Sequence, residues 1–393
     1  MPYAAALSLS PDGHQGLQEV CAEVRTSLGS EAPDLSLLIV SRSHLELFPE
    51  LVAAACRTTG SRHLLACTAD GVIGDDREIE SGPAISLWSA RLPGAEIESF
   101  HVEFERTPDG PICIGMPDGP ADVAQVADTR AILMLADPFS FPIDTVISRL
   151  ADELPGVPLI GGMASGGTAP GENSLGWNGE EFHQGGVGVI IRGGPAIRSI
   201  VSQGCRPIGS TFVVTRTEQN VVFELGGKPA LSRLEETYAG LSDRDRQLIR
   251  QGLHLGAIID EYKPSLARGN FLIANVLGAD RESGAIAVGT IVRPGQTVQF
   301  HVRDASSADE DLRGMLTERM EGQEERPRGA LLFSCNGRGT RLFPSPNHDA
   351  GVLRSVCGSI PLSGFFAQGE LGPVGGRNYI HGFTASIALF EDL

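Results

Sequence analysis

The sequence predicts an α/β fold. Mixed sheets are built from repeated strand–helix–strand units in two pseudo-related halves, with an αββα sandwich as one way to stack them. Two observations carry this. PLIGGMASG (158–166) and PLSGFFAQG (361–369) match at five of nine positions. The elements flanking these segments also recur in one order three times along the 393 residues, the signature of an internal repeat.

A helix follows Pro11, because Leu17, Val20, Cys21, Val24 and Leu28 recur at helical spacing. The first copy then runs from the apolar strand Leu35–Val40 through a helix over Glu46–Arg57 to a second strand at Leu64–Cys67. Two alternating strands joined at Pro93-Gly94 close it. The second copy has a strand at Ala131–Ala136, a helix over Pro142–Glu153 and a strand at Pro158–Gly162, then strands on either side of Gly193-Gly194. The third has strands at Ala330–Ser334 and Pro361–Phe366, a helix near Ala350–Cys357 and a last strand after Gly382. Between copies two and three, helices are expected over Pro229–Tyr238 and Asp243–Leu253. Three antiparallel strands follow within 271–304, and Ser307-x-x-Glu310 reads as a capping box opening a helix. Glu321–Arg328 reads as a solvated connection. The boundary between halves falls near residue 225.

Composition excludes several function classes. A net charge of −18 argues against a broad nucleic-acid footprint. No apolar run approaches the ~20 residues that span a bilayer. The opening MPYAAALSLSPDG lacks a basic start and a long apolar region, so no signal peptide is expected. Seven scattered cysteines without a CxxC fit reduced thiols in a cytoplasmic protein. No P-loop, GxGxxG after a strand, HExxH, EF-hand loop or GxSxG elbow occurs. The histidines stand singly, so neither a metal nor a cofactor is expected.

Candidate site residues cluster after strand ends, where open α/β sheets hold ligands. In the second copy these are Gly161, Gly162, Met163, Ser165 and Gly166, whose glycines allow close backbone approach. Their counterparts in the third copy are Phe365, Gln368 and Glu370. Cys335, Asn336 and Arg338 follow a strand, and His381 precedes Gly382. Arg338 can hold a carboxylate or phosphate, or form a structural ion pair. Cys335 can be a buried apolar residue or, with its thiol pKa lowered by Arg338 or His381, a nucleophile. Asp137, before Pro138, caps the turn that follows its strand.

At these residues the sequence resembles a known family. LADPFSF, PLIGGMASGG, QGGVGVII, VSQGCRPIG and FELGGKPAL look like the FIST N-terminal domain. FLIANVLGAD, LLFSCNGRG, GFFAQGELGP and YIHGFTASIALF look like the FIST C-terminal domain. The name abbreviates F-box and intracellular signal transduction. The resemblance implies a helical lead-in over 1–34, a FIST N-like domain over 35–225 and a FIST C-like domain over 226–393. It further implies a sensory module for a small ligand, an amino acid or similar polar metabolite, read out through a signalling partner. Arg338 would hold an anionic group, and Glu370 or Gln368 an amine or amide. The rival reading is a Cys-dependent transferase or hydrolase using Cys335 and His381.

Overall fold

The computed structural model describes residues 2–29, 31–107, 110–117, 119, 123–259, 261, 269, 271–321 and 326–391. Half of the expected connection Glu321–Arg328, residues 322–325, lies outside the described residues.

β1 (Tyr3–Ser8) and α1 (Gly13–Leu28) precede the first repeat. That repeat comprises β2 (Leu35–Ser41), α2 (Phe48–Thr59), β3 (His63–Ala69), the hairpin β4 (Val72–Gly74) and β5 (Arg77–Ile79), and β6 (Ile85–Ala90). β7 (Ala95–Thr107), β8 (Gly110–Ile114) and α3 (Val123–Asp128) lead to the second. It comprises β9 (Thr129–Ala136), α4 (Ile143–Glu153), β10 (Leu159–Met163), the hairpin β11 (Leu175–Trp177) and β12 (Glu180–Phe182), and β13 (Gly186–Gly193). β14 (Ile197–Gln203) leads into the intervening segment, which opens with β15 (Cys205–Glu218), β16 (Val221–Leu225) and β17 (Lys228–Pro229). α5 (Ala230–Ala239), α6 (Asp243–Gln251), β18 (Leu253–Ile258), β19 (Phe271–Ala279), β20 (Ile286–Val288), β21 (Thr297–Arg303) and α7 (Ala305–Met320) complete it. The third repeat comprises β22 (Gly329–Cys335), α8 (His348–Cys357), β23 (Leu362–Ala367), the hairpin β24 (Glu370–Val374) and β25 (Arg377–His381), and β26 (Thr384–Phe390).

The chain divides into two compact units. The first comprises Met1–Val201, Arg313–Ile380 and Thr384–Leu393, and holds all three repeats. Its sheets run β1-β6-β2-β3-β11-β12, β25-β24-β10-β9-β13-β7-β8 and β14-β26-β22-β23-β4-β5. Each is built on one repeat's parallel strand pair, flanked by that repeat's antiparallel closing strand. Each repeat gives its hairpin away. β4–β5 completes the third repeat's sheet, β11–β12 the first repeat's and β24–β25 the second repeat's. The exchange is cyclic, so each repeat's sheet is completed by a hairpin from one of the others.

Strand alternation explains the core. Leu35, Leu37 and Ile39 of β2, Leu133 and Leu135 of β9, and Leu331 and Phe333 of β22 share one buried cluster. The opposite faces are also covered. Leu38 and Val40 pack with Val20 and Val24 of α1 and Leu51 and Val52 of α2, and Ile132 and Met134 pack with Val146 and Leu150 of α4. Burial on both faces is why these strands read as unbroken apolar runs. Mixed sheets covered by helices are as the sequence predicts, but three sheets share the core where an αββα sandwich has two. Tyr3, Trp88 and Phe390 meet there, Trp88 and Phe390 with ring centroids 4.9 Å apart.

The second unit, Ser202–Leu312 with His381–Phe383, contains a closed antiparallel barrel. Its order is β15-β21-β18-β19-β20-β16, and β16 pairs back onto β15. Register shifts at Ile208/Thr211 and Val214/Arg216 bend the long strand β15 around the barrel. Val214, Val222, Leu255, Val298 and Phe300 fill the interior. The helix after it begins at Ala305, before the expected capping box. Asp304 takes the cap position, accepting from the Ser307 amide at 3.4 Å.

Among the described residues no helix is long and apolar enough to cross a membrane.

Candidate functional site

The two matching segments of the sequence form the same backbone device. Gly161 lies at φ 151° in β10 and Gly364 at φ 159° in β23. A Cβ on either would sit 1.8 Å from a carbonyl oxygen of the neighbouring parallel strand, Met134 O or Leu332 O respectively. Gly162 stands opposite Glu370 in the pairing of β10 with β24, where a Cβ would meet that of Ala367 at 2.8 Å. These glycines are required by close strand packing.

The ends of the second strands of all three repeats are tied together. The amides of Ser165 and Gly166 donate to Thr68 O at 3.3 and 3.2 Å, and the Phe366 amide donates to Gly71 O at 3.0 Å. Buried Ser165 donates through Oγ to Phe366 O at 2.5 Å and accepts from the Asp70 amide at 3.0 Å. The Met163 amide donates to Gly369 O, and the Gln368 amide to Met163 O. Phe365 is a core residue, edge-on to Phe333. Gln368 has an exposed side chain. Asp137 caps its turn as expected, accepting from the Ser140 amide at 2.9 Å and Ser140 Oγ at 2.6 Å.

The chemistry concentrates in the third repeat. β22 ends at half-buried Cys335, and the chain turns so that the Arg338 amide donates to Cys335 O at 2.8 Å. The Gly337 amide donates to Cys335 Sγ at 3.4 Å. The turn sends Arg338 inward to 0 % exposure, where Nε and Nη2 bind Asp349 at 2.7 and 2.8 Å. Asp349 also accepts from Ser334 Oγ at 2.8 Å and lies 2.9 Å from His348 Nδ1. Full burial works to raise the Asp349 carboxyl, but the Arg338 charge and the hydrogen bonds hold it below the usual carboxylate range. His348 stacks on Phe343, whose face carries the Arg338 guanidinium 5.2 Å above its centroid.

Glu370 opens β24 with 0 % exposure. Its Oε2 accepts from the Thr384 amide at 3.0 Å and Thr384 Oγ1 at 2.8 Å. Burial pushes its carboxyl up to about 8, opposed by Thr384, the adjacent Cys335 thiol and the Arg338 charge. Three buried polar atoms of this cluster lack hydrogen-bond partners: Arg338 Nη1, Asn336 Oδ1 and Glu370 Oε1. Buried polar atoms are normally satisfied, so three orphans around one half-buried cysteine single this cluster out as the candidate site. A second buried acid, Glu78 of β5, accepts from the Ala350 amide at 2.9 Å and so holds the start of α8. Burial and then the Asp349 charge push its carboxyl up to about 7.

Cys335, Asn336, Arg338 and Glu370 therefore come together, while the glycines, Met163, Ser165 and Phe365 hold the frame. His381 is buried at the end of β25 and belongs to the second unit. Asp349, Ser334, His348, Thr384 and Glu78 are additional members that no sequence spacing pointed to. Among the described residues no group of three His, Cys, Asp or Glu is placed to hold a metal ion.

The FIST N domain model matches residues 34–228 and the FIST C domain model residues 230–373. The chain is 41% identical over 393 residues to the uncharacterized protein Rv0628c of Mycobacterium tuberculosis, with both chains fully covered. It is 39% identical over 392 residues to the uncharacterized protein Mb0898c of Mycobacterium bovis, covering 100% of this chain and 99% of that one. With both domain models matched in order, the chain belongs to the FIST family, whose domains are sensory modules of signal transduction proteins.

Proposed function

We propose that the chain senses an amino acid or a closely similar polar metabolite at the Cys335–Asn336–Arg338–Glu370 cluster. The observation that carries this is the set of three buried orphans, Arg338 Nη1, Asn336 Oδ1 and Glu370 Oε1. Arg338 Nη1 is a donor and suits a carboxylate, whereas Asn336 Oδ1 accepts and Glu370, protonated near neutral pH with its carboxyl pushed up to about 8, becomes an acceptor once a bound ammonium group draws off its proton. One α-amino acid carries both. Asp349 already occupies the Nε/Nη2 edge of the guanidinium, so the ligand carboxylate takes the single remaining nitrogen in place of a bidentate grip. With the domain boundary at 225, the glycine-rich frame of 161–166 comes from the N-terminal domain and the polar groups come from the C-terminal one. The protein acts in the cytoplasm of a bacterium and passes the signal to a protein partner.

A thermal-shift series over the twenty amino acids, their α-hydroxy analogues and their amides tests this. A ligand at 100 times its Kd adds ~2.7 kcal/mol of stability. The expected hit needs both the free carboxylate and the free amine, and loses its effect in Glu370→Gln. A flat series across all three sets refutes the reading.

A further inference from the structure

Beyond ligand sensing, we propose that Cys335 is an oxidisable thiol, converted by hydroperoxides to a sulfenic acid, with Glu370 as its proton acceptor. Four observations built around the sulfur carry this. Cys335 is only half-buried, whereas Cys21, Cys67, Cys205 and Cys357 are buried. The Gly337 amide donates to Cys335 Sγ at 3.4 Å, a contact that strengthens when the sulfur becomes anionic. The Arg338 guanidinium acts electrostatically on the thiol and on Glu370 while keeping Nη1 unpartnered at 0 % exposure. The Glu370 carboxyl is adjacent to the thiol, also fully buried, with Oε1 unpartnered.

The step balances within this set and one hydroperoxide. The thiol proton passes to Glu370 in its carboxylate form, a minority near neutral pH because burial holds the carboxyl at about 8. The thiolate attacks one peroxide oxygen, so the S–O bond forms as the O–O bond breaks. Sulfur is oxidised by two electrons and the peroxide is reduced. The departing alkoxide or hydroxide recovers the proton from Glu370 and leaves as alcohol or water. An ordinary thiol titrates near ~8.5, and a carboxyl held near 8 exchanges a proton with it at little cost. The product fits the orphans. A sulfenic oxygen can accept from Arg338 Nη1, and its hydrogen can be donated to Asn336 Oδ1 or Glu370 Oε1.

The full-length protein is treated with hydrogen peroxide and a sulfenic-acid trap, and adduct formation is followed by peptide mass spectrometry. Half-buried Cys56 and Cys113 in the same molecule serve as references. Cys335 is expected to form the adduct about tenfold faster than either, and Glu370→Gln to slow it about tenfold, because reactivity follows the thiolate. A Cys335 rate no higher than that of Cys56 overturns the proposal without any variant. An unchanged rate in folded Glu370→Gln overturns the role of Glu370. No metabolite is added, so the outcome is independent of the amino-acid reading.

Discussion

Asp349→Asn tests the centre of the site most directly. It removes one charge from a pair in which both side chains are 0 % exposed, joined by hydrogen bonds of 2.7 and 2.8 Å. Arg338 does not titrate within the accessible pH range, so its charge stays buried without a counterion. Removing one partner of such a pair costs about 3–5 kcal/mol. The neighbouring bonds from Ser334 Oγ and His348 lose their ionised acceptor, which places the expected cost toward the upper end. At a urea m-value of ~3 kcal/mol/M, the unfolding midpoint falls by about 1–1.7 M. Trp88 and Trp177 both lie in the first unit, Trp88 fully buried, so tryptophan fluorescence follows the unfolding of that unit. The double variant Arg338→Met/Asp349→Leu is expected to regain most of the loss, because apolar replacement of a whole buried pair is often neutral. A cost below about 1 kcal/mol for Asp349→Asn is the range of exposed pairs, and would refute the claim that this ion pair organises the site.

Three further outcomes follow from the same geometry. Glu370 and Glu78 have folded pKa values raised to about 8 and about 7, so between pH ~4.3 and those values the folded state binds more protons than the unfolded one. Stability therefore falls as pH rises through 5–8, by up to ~1.4 kcal/mol per pH unit per group, and Glu370→Gln flattens the slope measured by urea titration. Gly364→Ala places a Cβ 1.8 Å from Leu332 O and is expected to cost at least about 3 kcal/mol, or to yield no soluble protein on expression. Ser165→Ala strands the Asp70 amide and Phe366 O and is expected to cost about 1–3 kcal/mol by the same unfolding assay, with no change in far-UV circular dichroism.

Much of the fold is legible in the sequence, for local reasons. Apolar runs such as Leu35–Val40 and Ala131–Ala136 are short and unbroken, the pattern of strands buried on both faces, and the period-3.6 pattern over Leu17–Leu28 is that of an amphipathic helix. The repeat itself is visible because Gly161 and Gly364 are held by the same steric demand, a carbonyl oxygen that leaves no room for Cβ. The hairpins were missed because their strands are only three to five residues long and sit in glycine-rich stretches. A signal was present. Asn178-Gly179 and Gly375-Gly376 are two-residue turns with positive φ, the conformation that favours a hairpin. β1 was missed because YAAALS is short and rich in alanine.

The sequence by itself determined the α/β class, the three repeats, the family and the placing of Cys335, Asn336, Arg338 and Glu370 after strand ends. All of these rest on local spacing or close approach along one segment. Tertiary structure alone decided that each hairpin completes another repeat's sheet and that the intervening strands close into a barrel. It also decided that Arg338, eleven residues before Asp349, is locked to it by two hydrogen bonds, leaving one nitrogen over. Those outcomes depend on which distant backbones come into register and which polar atoms are left unmatched once they do. Neither is encoded in any single window of residues.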